Sequence, residues 1–481
     1  MTGNRLLLPG ATLIHRLQLR ETEEQHALPI PPQSLPNIVV LTVDTLRADH
    51  LGCYGYDRPT SPHIDTLAAE SVVFENAFAA GIPTMPSFTT LLTGLHPYRH
   101  GIVSHIGERR LSDEIMLLPQ LAKAGGYLTI ACDNLVVQGE GTGSWFARGY
   151  DHYSGFLYRP FGDQSRQLTD RALSFLDKAP KQPFLLFMHY WDPHTPYGPL
   201  QPYDTLHYVP GAGPVDMADV RRIHPEYYDL FVGDMKLREP DDYAYIVAQY
   251  DGEITQVDAQ IGRLLSALRQ RGDWDNTIVL LLADHGECFG EGEFFFDHHG
   301  LYDAVTRVAC TLRVPDQPSR RIDSLVSTED ILPTLSDLAG FSLPPYQLTG
   351  HSLGPLLTGA ADEIRPFVVS AEATRQASLA LRTPEWKLIM PIVQDAQGCA
   401  LPDFYGRARP DEPSLFDLRP GAAGEVQDVA RHHPEQLASM NRMLETWRAA
   451  MQEATDEPDP ILAQGLSLPF DRFMARMFGR K

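Results

Sequence analysis

The sequence predicts an α/β fold, a mixed and mostly parallel sheet flanked by helices, with a small C-terminal α+β subdomain. Short apolar runs typical of buried parallel strands recur along the chain. They are NIVVLTV (37–43), YLTIA (127–131), PFLLFMHY (183–190) and TIVLLLA (277–283). Stretches with helical periodicity separate these runs, and residues 242–270 are the longest of them. Strands that alternate with helices indicate a sheet covered on both faces.

The pattern changes after about residue 365. Short strand-like pieces (FVVSAE, SLALRT, WKLIMPI and PSLFDL) precede a helix around HPEQLASMNRMLETWRAAM, which predicts a small antiparallel sheet with one helix. We therefore divide the chain into four parts. They are an N-terminal extension and linker (1–36), the main α/β domain (37–365), a C-terminal subdomain (366–455) and an amphipathic tail (456–481).

Composition and charge describe a globular, acidic chain. Forty Lys+Arg stand against 62 Asp+Glu, and the formal net charge of −22 repels nucleic acid and anionic membranes, so we expect no nucleic-acid partner. No run approaches the roughly 20 apolar residues of a membrane span. Five cysteines without CxxC spacing and the absence of a signal-peptide core favour the cytoplasm.

Two segments depart from the α/β rhythm. Residues 198–240 are rich in Pro, Tyr and Asp, which predicts a loop or lid insertion near the site. The tail FDRFMARMFGRK places apolar residues at helical spacing between basic ones. We interpret it as a helix that docks on a neighbouring subunit, in preference to a membrane-surface helix, and therefore expect a homo-oligomer.

Polar residues follow each of the four apolar runs. They are Asp44, then Asp133 and Asn134, then Asp192 and His194, and finally Asp284 and His285. Because ligands bind at the carboxyl ends of the strands in open α/β sheets, these side chains are expected to converge although they lie far apart in sequence.

The sharpest of these signals is DHGE at 284–287. An Asp and a His at the end of a strand offer oxygen and nitrogen ligands that suit a divalent cation such as Zn²⁺ or Mn²⁺. A surface turn capped by an Asp is the alternative. Asp44 at the end of the first strand favours the metal site, with Asp44, Asp284 and His285 as its ligands.

A second signal is GIPTMPSFTTLLTGLHPYRHG at 81–101. Pro86 fits the first turn of a helix that has Thr84 at its N-terminal end, where free N–H groups favour an anionic partner. A threonine there is ordinarily a helix cap. With a metal ion nearby it becomes a candidate nucleophile, since the ion lowers the pKa of the hydroxyl.

Together these motifs resemble the sulfatase branch of the alkaline phosphatase superfamily. The resemblance runs in order through VDTLRADHLGCYGY, RPTSPHIDTLA, PTMPSFTTLLTG, HYWDPHTPY, LLADHGE, HHGLYDAVTRV and SLFDL. It implies an ester hydrolase that binds Mn²⁺, Zn²⁺ or Ca²⁺ and acts on a small anionic ester. The residues it implies are Asp44, Thr84, Asp284 and His285 at the metal, Thr84 as nucleophile, and Asn134, His194, His298 and His299 around the ester, with His194 and His298 also catalytic.

The departures from the family pattern bear on the substrate. Active sulfatases carry C/S-x-P-x-R, whose first residue becomes formylglycine, whereas this chain reads Thr84-Met-Pro-Ser-Phe88. Asn134 and His298 stand where the family often has lysine. A threonyl sulfate would need attack at sulfur, while a threonyl phosphate can be hydrolysed at phosphorus by an in-line water.

We therefore favour a phosphodiesterase or phosphonate monoester hydrolase. The alternatives are a sulfuric ester hydrolase of the arylsulfatase kind, a phospho-group transferase, and an inactive sulfatase-like binding protein. A second ion held by Asp192, His194 and His298 or His299 is also open, against the reading in which these histidines only bind substrate.

Other polar residues are expected to be structural. His96, His100 and His105 lie near the nucleophile helix, where lone histidines are more often structural than ligands. We expect Arg47 to form a salt bridge rather than to bind substrate.

Overall fold

The computed structural model describes residues 35–138, 143–156, 161–178, 181–211, 213–235, 237–455 and 457–472. The N-terminal extension up to residue 34 and the tail from residue 473 lie outside the described residues, so the predicted tail helix is not tested. Within the described parts of the chain, no helix is both long and apolar enough to cross a membrane.

Eight of the described strands form the main sheet, in the order β10-β2-β9-β6-β1-β5-β3-β4. Their bounds are β1 Asn37–Val43, β2 Val72–Phe78, β3 Leu128–Cys132, β4 His152–Ser154, β5 Phe184–Tyr190, β6 Thr277–Ala283, β9 Cys310–Arg313 and β10 Arg320–Ser327. Strand β9 is antiparallel to β2 and β6, and the other neighbours are parallel. The predicted mixed, mostly parallel sheet is confirmed.

The four predicted apolar runs are the central strands β6, β1, β5 and β3. All seven residues of β1, of β5 and of β6 are buried, which explains their continuous apolar sequences. Strand β10 was not predicted, because its first half alternates between partly exposed and exposed residues and carries charged side chains.

The register of the central strands brings their carboxyl ends level. Val43 pairs with Tyr190 of β5 on one side and with Ala283 of β6 on the other. The next residue, Asp44, donates its N–H to the Tyr190 carbonyl at 2.8 Å. Residues that follow these strands therefore share one edge of the sheet, as expected for an α/β site.

Helices cover the sheet and fill the connections between strands. They are α1 Pro62–Ala69, α2 Thr84–Thr93, α3 Pro97–His100, α4 Leu118–Ala124, α5 Leu135–Gln138, α6 Gln164–Lys178, α7 Tyr203–Leu206, α8 Met217–Ile223, α9 Pro225–Asp234, α10 Tyr243–Gln270, α11 Asp303–Thr306, α12 Ile331–Ala339, α13 Gly354–Thr358, α14 Pro434–Glu453 and α15 Pro460–Gln464. The long helix α10 packs against α1, α6 and α7. Helices α7, α8 and α9 occupy the segment that was expected to be a loop or lid insertion.

Short 3-10 helices complete the connections. They are Ala48–His50, Gly52–Tyr54, Ser144–Ala147, Trp274–Asn276, Glu291–Glu293, Thr328–Asp330, Gly424–Val426 and Ala430–His432. A two-stranded ribbon of β7 Cys288–Phe289 and β8 Phe295–Asp297 follows β6 and leads the chain back towards the edge of the sheet.

The C-terminal part contains the predicted antiparallel sheet. Its strands are β11 Val368–Glu372, β12 Ser378–Arg382, β13 Trp386–Pro391 and β14 Ser414–Asp417. This sheet and α14 share an apolar core that includes Leu388 and Leu444. Ala371 ties β11 to the main domain through backbone hydrogen bonds with Ala80 and Ile82. The domain bounds at 365 and 455 stay a prediction.

Candidate active site

Asp44, Asp284 and His285 come together at the carboxyl edge of the sheet, as the sequence predicts. The Nε2 atom of His285 lies 3.2 Å from Asp284 Oδ2 and 3.8 Å from Asp44 Oδ1. All three residues are buried. Two carboxylates and an imidazole in this arrangement form a candidate metal centre.

The donor atoms fit a divalent cation. Ligand atoms about 2.1 Å from a tetrahedral ion lie about 3.4 Å apart, which matches the distances around His285. Asp44 Oδ1 and Asp284 Oδ2 are buried and have no hydrogen-bond partner among the described residues, and a cation would satisfy both. The Nδ1 of His285 lies 3.1 Å from the Gly286 carbonyl, which favours the tautomer that leaves Nε2 free to bind the ion.

Local backbone contacts hold this loop in place. Asp284 Oδ1 accepts hydrogen bonds from the N–H of Thr45 at 3.2 Å and of His285 at 2.8 Å. Thr45 has a φ of 53°, an unusual value for a β-branched residue, and the Tyr250 hydroxyl donates to its carbonyl at 2.7 Å. At Gly286 a Cβ atom would lie 2.0 Å from the Ala304 carbonyl oxygen, so only glycine fits there.

The buried carboxylates have different proton affinities. Burial, together with the charge of Asp44, raises the pKa of Asp284 to about 7. Burial also acts to raise the pKa of Asp44, but the hydrogen bond from His189 and the neighbouring histidines outweigh it, so that this pKa lies below its ordinary value. Asp44 is therefore the more readily ionised of the two carboxylates.

His189 stands behind the metal group and was not predicted. It lies in the middle of the sheet on β5, with Nε2 at 3.3 Å from Asp44 Oδ2 and Nδ1 at 2.8 Å from Asp133 Oδ1. Burial acts to lower the pKa of His189, but the hydrogen bonds to Asp133 and Asp44 raise it to about 9. A protonated His189 orients Asp44 and offsets part of its charge. Only the sheet order, which puts β5 beside β1, reveals this role.

Thr84 is the first residue of helix α2 and is 1% exposed. Its Oγ1 lies 3.4 Å from His285 Nε2, so the hydroxyl joins the metal group. Ser87, one turn further along, donates from Oγ to the Asp284 carbonyl at 2.6 Å and ties the helix to the metal loop. The predicted convergence of Asp44, Thr84, Asp284 and His285 is found in the structure.

Phe88 and Asn134 lie where sulfatases carry basic residues. The Phe88 ring packs edge-on against the His189 ring, with centroids 4.5 Å apart. Asn134 is fully buried, and its Oδ1 accepts the N–H of Phe156 at 2.8 Å. Its Nδ2 has no hydrogen-bond partner in the described chain, which leaves a donor for an ester oxygen.

Histidines surround the metal group. The His298 ring lies 4.8 Å from that of His194, 5.1 Å from that of His285 and 5.3 Å from that of His299. Burial, followed by the charge of His194, lowers the pKa of the nearby His105 to about 4. The backbone N–H of His105 donates to Thr374 Oγ1 at 2.9 Å, and the expectation that His105 is structural stays a prediction.

The other two histidines of that segment are structural, as expected. His96 caps helix α3 by accepting the N–H of Tyr98 at 3.2 Å, and His100 accepts the N–H of Ile102 at 3.0 Å. The predicted salt bridge of Arg47 is confirmed, with Asp49 and Glu291 each at 2.8 Å.

A second group of potential metal ligands consists of Asp297, His298 and His299. It differs from the predicted second set, because neither group among the described residues includes Asp192 or His194. Asp192 is buried, and this burial raises its pKa to about 7.

An α/β sheet with a candidate metal group at its carboxyl edge is typical of one class of metal-dependent hydrolases. The sulfatase family model matches residues 36–341, and this chain therefore belongs to the sulfatase family. A Δ4,5-hexuronate-2-O-sulfatase from Bacteroides thetaiotaomicron is 26% identical over 369 residues, which cover 70% of this chain and 75% of the relative.

Solved structures share the fold. The phosphonate monoester hydrolase of Agrobacterium radiobacter superposes with a TM-score of 0.71 at 21% identity, covering 86% of this chain and 96% of the other. BT4656 in complex with its substrate D-glucosamine-2-N,6-O-disulfate gives 0.72 at 20% identity, covering 89% and 99%. The family consists of ester-bond hydrolases that typically depend on a divalent metal, and this chain is a hydrolase of that class with a candidate metal cluster.

Proposed function

We propose that this chain hydrolyses phosphate esters, with a phosphodiester or a phosphonate monoester as the favoured substrate and Thr84 as the nucleophile. The observation that carries the proposal is the position of the Thr84 hydroxyl, buried at a helix start and 3.4 Å from His285. Helix N-termini attract anions, so an ester oxygen would be drawn towards the same point.

The chemistry of threonine favours phosphorus over sulfur. Thr84 cannot become formylglycine, and its ester is released only by attack on the central atom. In-line attack by water on phosphorus is a common metal-assisted reaction. Both a phosphodiester and a sulfate monoester carry one negative charge, so charge alone does not discriminate between them.

The residues around Thr84 define the steps. Thr84 gives its hydroxyl proton to solvent, and its Oγ1 bonds to phosphorus as the bond from phosphorus to the leaving oxygen breaks, while His298 or His194 donates a proton to that oxygen. Water then attacks phosphorus, the bond to Thr84 breaks, and the hydroxyl regains its proton. Asn134 and His299 bind the remaining ester oxygens.

A divalent cation held by Asp44, Asp284 and His285 would lower the pKa of the Thr84 hydroxyl and offset the negative charge of the ester. We infer one ion at this group and leave Mn²⁺, Zn²⁺ and Ca²⁺ as its candidates. An alternative places a second ion at Asp297, His298 and His299. The Arg375 guanidinium, 3.4 Å from Asp297, disfavours that ion, because both groups are cations.

The test is a panel of 4-nitrophenyl esters: a phosphate monoester, a phosphodiester, a phosphonate monoester and a sulfate. We expect the diester or the phosphonate to be turned over faster than the sulfate. Thr84→Ala is expected to lose at least about a thousandfold in kcat, as nucleophile removal does in other hydrolases. Thr84→Ser should retain part of the activity, because it keeps the hydroxyl and loses only a methyl group that restricts the rotamer.

The same panel separates the alternatives. Faster sulfate turnover would assign a sulfuric ester hydrolase, and product transfer to an added alcohol in place of water would assign a transferase. Near-normal turnover by Thr84→Ala would exclude Thr84 as the nucleophile.

A further inference from the structure

His298 has a buried ring nitrogen that faces two carboxylates. Its Nδ1 lies 3.8 Å from Asp297 Oδ1 and 3.9 Å from Glu287 Oε1, and it has no hydrogen-bond partner in the described chain. A buried ring N–H left without an acceptor costs about 1–3 kcal/mol, so one of these carboxylates is expected to accept it.

Asp297 is already engaged elsewhere. Its Oδ1 accepts the backbone N–H of His298 at 2.8 Å, and its Oδ2 lies 3.4 Å from the Arg375 guanidinium. That ion pair also disfavours a metal ion at Asp297, because the cation would lie against the arginine.

Glu287 is the better acceptor. It is the last residue of DHGE, is fully buried, and is held close to the metal loop because its carbonyl accepts from the Arg47 guanidinium at 3.1 Å. A small rotation of the His298 ring would shorten the 3.9 Å separation to hydrogen-bond length. No carboxylate other than Glu287 and Asp297 is recorded within 4.0 Å of His298 in the described part of the chain.

We propose that Glu287 is a positioning residue for His298: it accepts the Nδ1–H and turns Nε2 towards the leaving oxygen of the ester. The inference rests on the proposed function, in which His298 donates a proton to that oxygen. As the bond from phosphorus to the leaving oxygen breaks, the proton moves from Nε2 to that oxygen and the ring keeps the Nδ1–H bonded to Glu287. In the second half of the reaction, the attacking water gives a proton back to Nε2. Carboxylates orient catalytic histidines in other hydrolases in this way.

The test compares two leaving groups of the same ester class. A 4-nitrophenolate leaves without a proton, whereas a phenolate or alkoxide needs one. Loss of the general acid is therefore expected to lower kcat mainly on the ester with the poorer leaving group. Glu287→Gln and His298→Ala should each lose at least tenfold more kcat on the phenyl ester than on the 4-nitrophenyl ester. The double variant should lose no more than His298→Ala alone, because one residue acts through the other. Glu287→Asp, which keeps a carboxylate, should recover part of the loss.

Glu293→Gln is the matched control, since it makes the same change at a side chain that is 67% exposed. Metal content and the unfolding temperature are measured for every variant. Equal losses on both leaving groups, or additive losses in the double variant, would overturn the role of Glu287. So would loss of one bound ion in Glu287→Gln and His298→Ala, which would make His298 a metal ligand.

The comparison works on whichever ester class the wild type hydrolyses. A wild type that turns over only sulfates refutes the phosphorus assignment and leaves the Glu287 test intact on an aryl sulfate pair. A wild type that turns over phosphate esters without a leaving-group effect in Glu287→Gln refutes the positioning role alone.

Discussion

A row of buried charged side chains lies behind the candidate metal ligands. His189 lies between Asp44 and Asp133, and all three are almost fully buried. Such burial is costly unless the charges are paired, and each carboxylate here has an imidazole partner. A cation at Asp44, Asp284 and His285 would complete the pairing, because Asp284 Oδ2 has no partner in the described structure.

Substitutions of these buried charged residues should lower the metal affinity by different amounts. Asp44→Asn removes a ligand charge and is expected to lower the affinity more than a hundredfold. His189→Gln removes only the orienting group, and the expected loss is about 10- to 100-fold. Metal analysis after dialysis against a series of free-metal concentrations measures both. His152→Gln, at an exposed position on β4, serves as control. Full metal occupancy in Asp44→Asn would contradict the assignment.

The N-terminus of helix α1 is capped by a side chain from another helix. Ser61, the residue before the helix, makes no side-chain cap. Instead Asp258 of helix α10 accepts the N–H groups of His63 at 3.0 Å and Ile64 at 2.7 Å. Helix starts leave such N–H groups without partners, and a carboxylate from a neighbouring helix satisfies them.

The pH dependence of stability tests this cap. Burial raises the pKa of Asp258 to about 6, although the two backbone N–H groups act to lower it. The folded state therefore binds this proton more tightly than the unfolded chain, and the contribution of Asp258 to stability falls as pH rises through 6. Asn does not titrate. We expect the unfolding temperature of Asp258→Asn, relative to wild type, to be more favourable at pH 8 than at pH 5, by the equivalent of about 1 kcal/mol.

Differential scanning calorimetry at both pH values makes the comparison. An unfolding-temperature difference between variant and wild type that is the same at pH 5 and pH 8 would show that Asp258 is ionised across the range. A difference that favours the variant more at pH 5 than at pH 8 would show that the two N–H groups lower the pKa of Asp258 more than burial raises it.

At the scale of the whole molecule, the insertion carries an unusual share of exposed apolar side chains. Those at least one-third exposed include Leu200, Leu206, Val209 and Ile223. At the start of the tail, Phe470 lies against Gly406, and the neighbouring Tyr405 stacks on His224 of the insertion with ring centroids 4.0 Å apart. Phe470 therefore lies close to the insertion. The homo-oligomer and the cytoplasmic location remain predictions.

Deleting residues 470–481 tests the oligomer. If the tail docks on another subunit, the deletion should lower the mass measured by light scattering and leave metal content unchanged. A full-length variant with Arg472, Arg476 and Arg480 changed to Gln loses these charges and keeps the apolar side chains of the tail. We expect it to keep the wild-type mass. An unchanged mass after deletion would contradict the docking role.

Much of the fold follows from the sequence alone. Buried parallel strands need continuous apolar runs, and these runs coincide with β1, β3, β5 and β6 to within a residue. The metal group was predictable for the same reason, since Asp44 and Asp284 each end such a run, and parallel strand ends meet at one edge. The place of Thr84 at a helix start beside the metal group also followed from the sequence, and its role as nucleophile stays a proposal.

Tertiary structure decided which polar residues face the site. His189 carries no local signal, because a histidine looks the same in sequence whether it packs against a metal ligand or a helix. Asp192 showed the converse, since this strand-end carboxylate belongs to neither candidate metal group among the described residues. Side-chain partners depend on strand order and on loops that return from distant positions, whereas strands and helices depend on the local pattern of apolar residues.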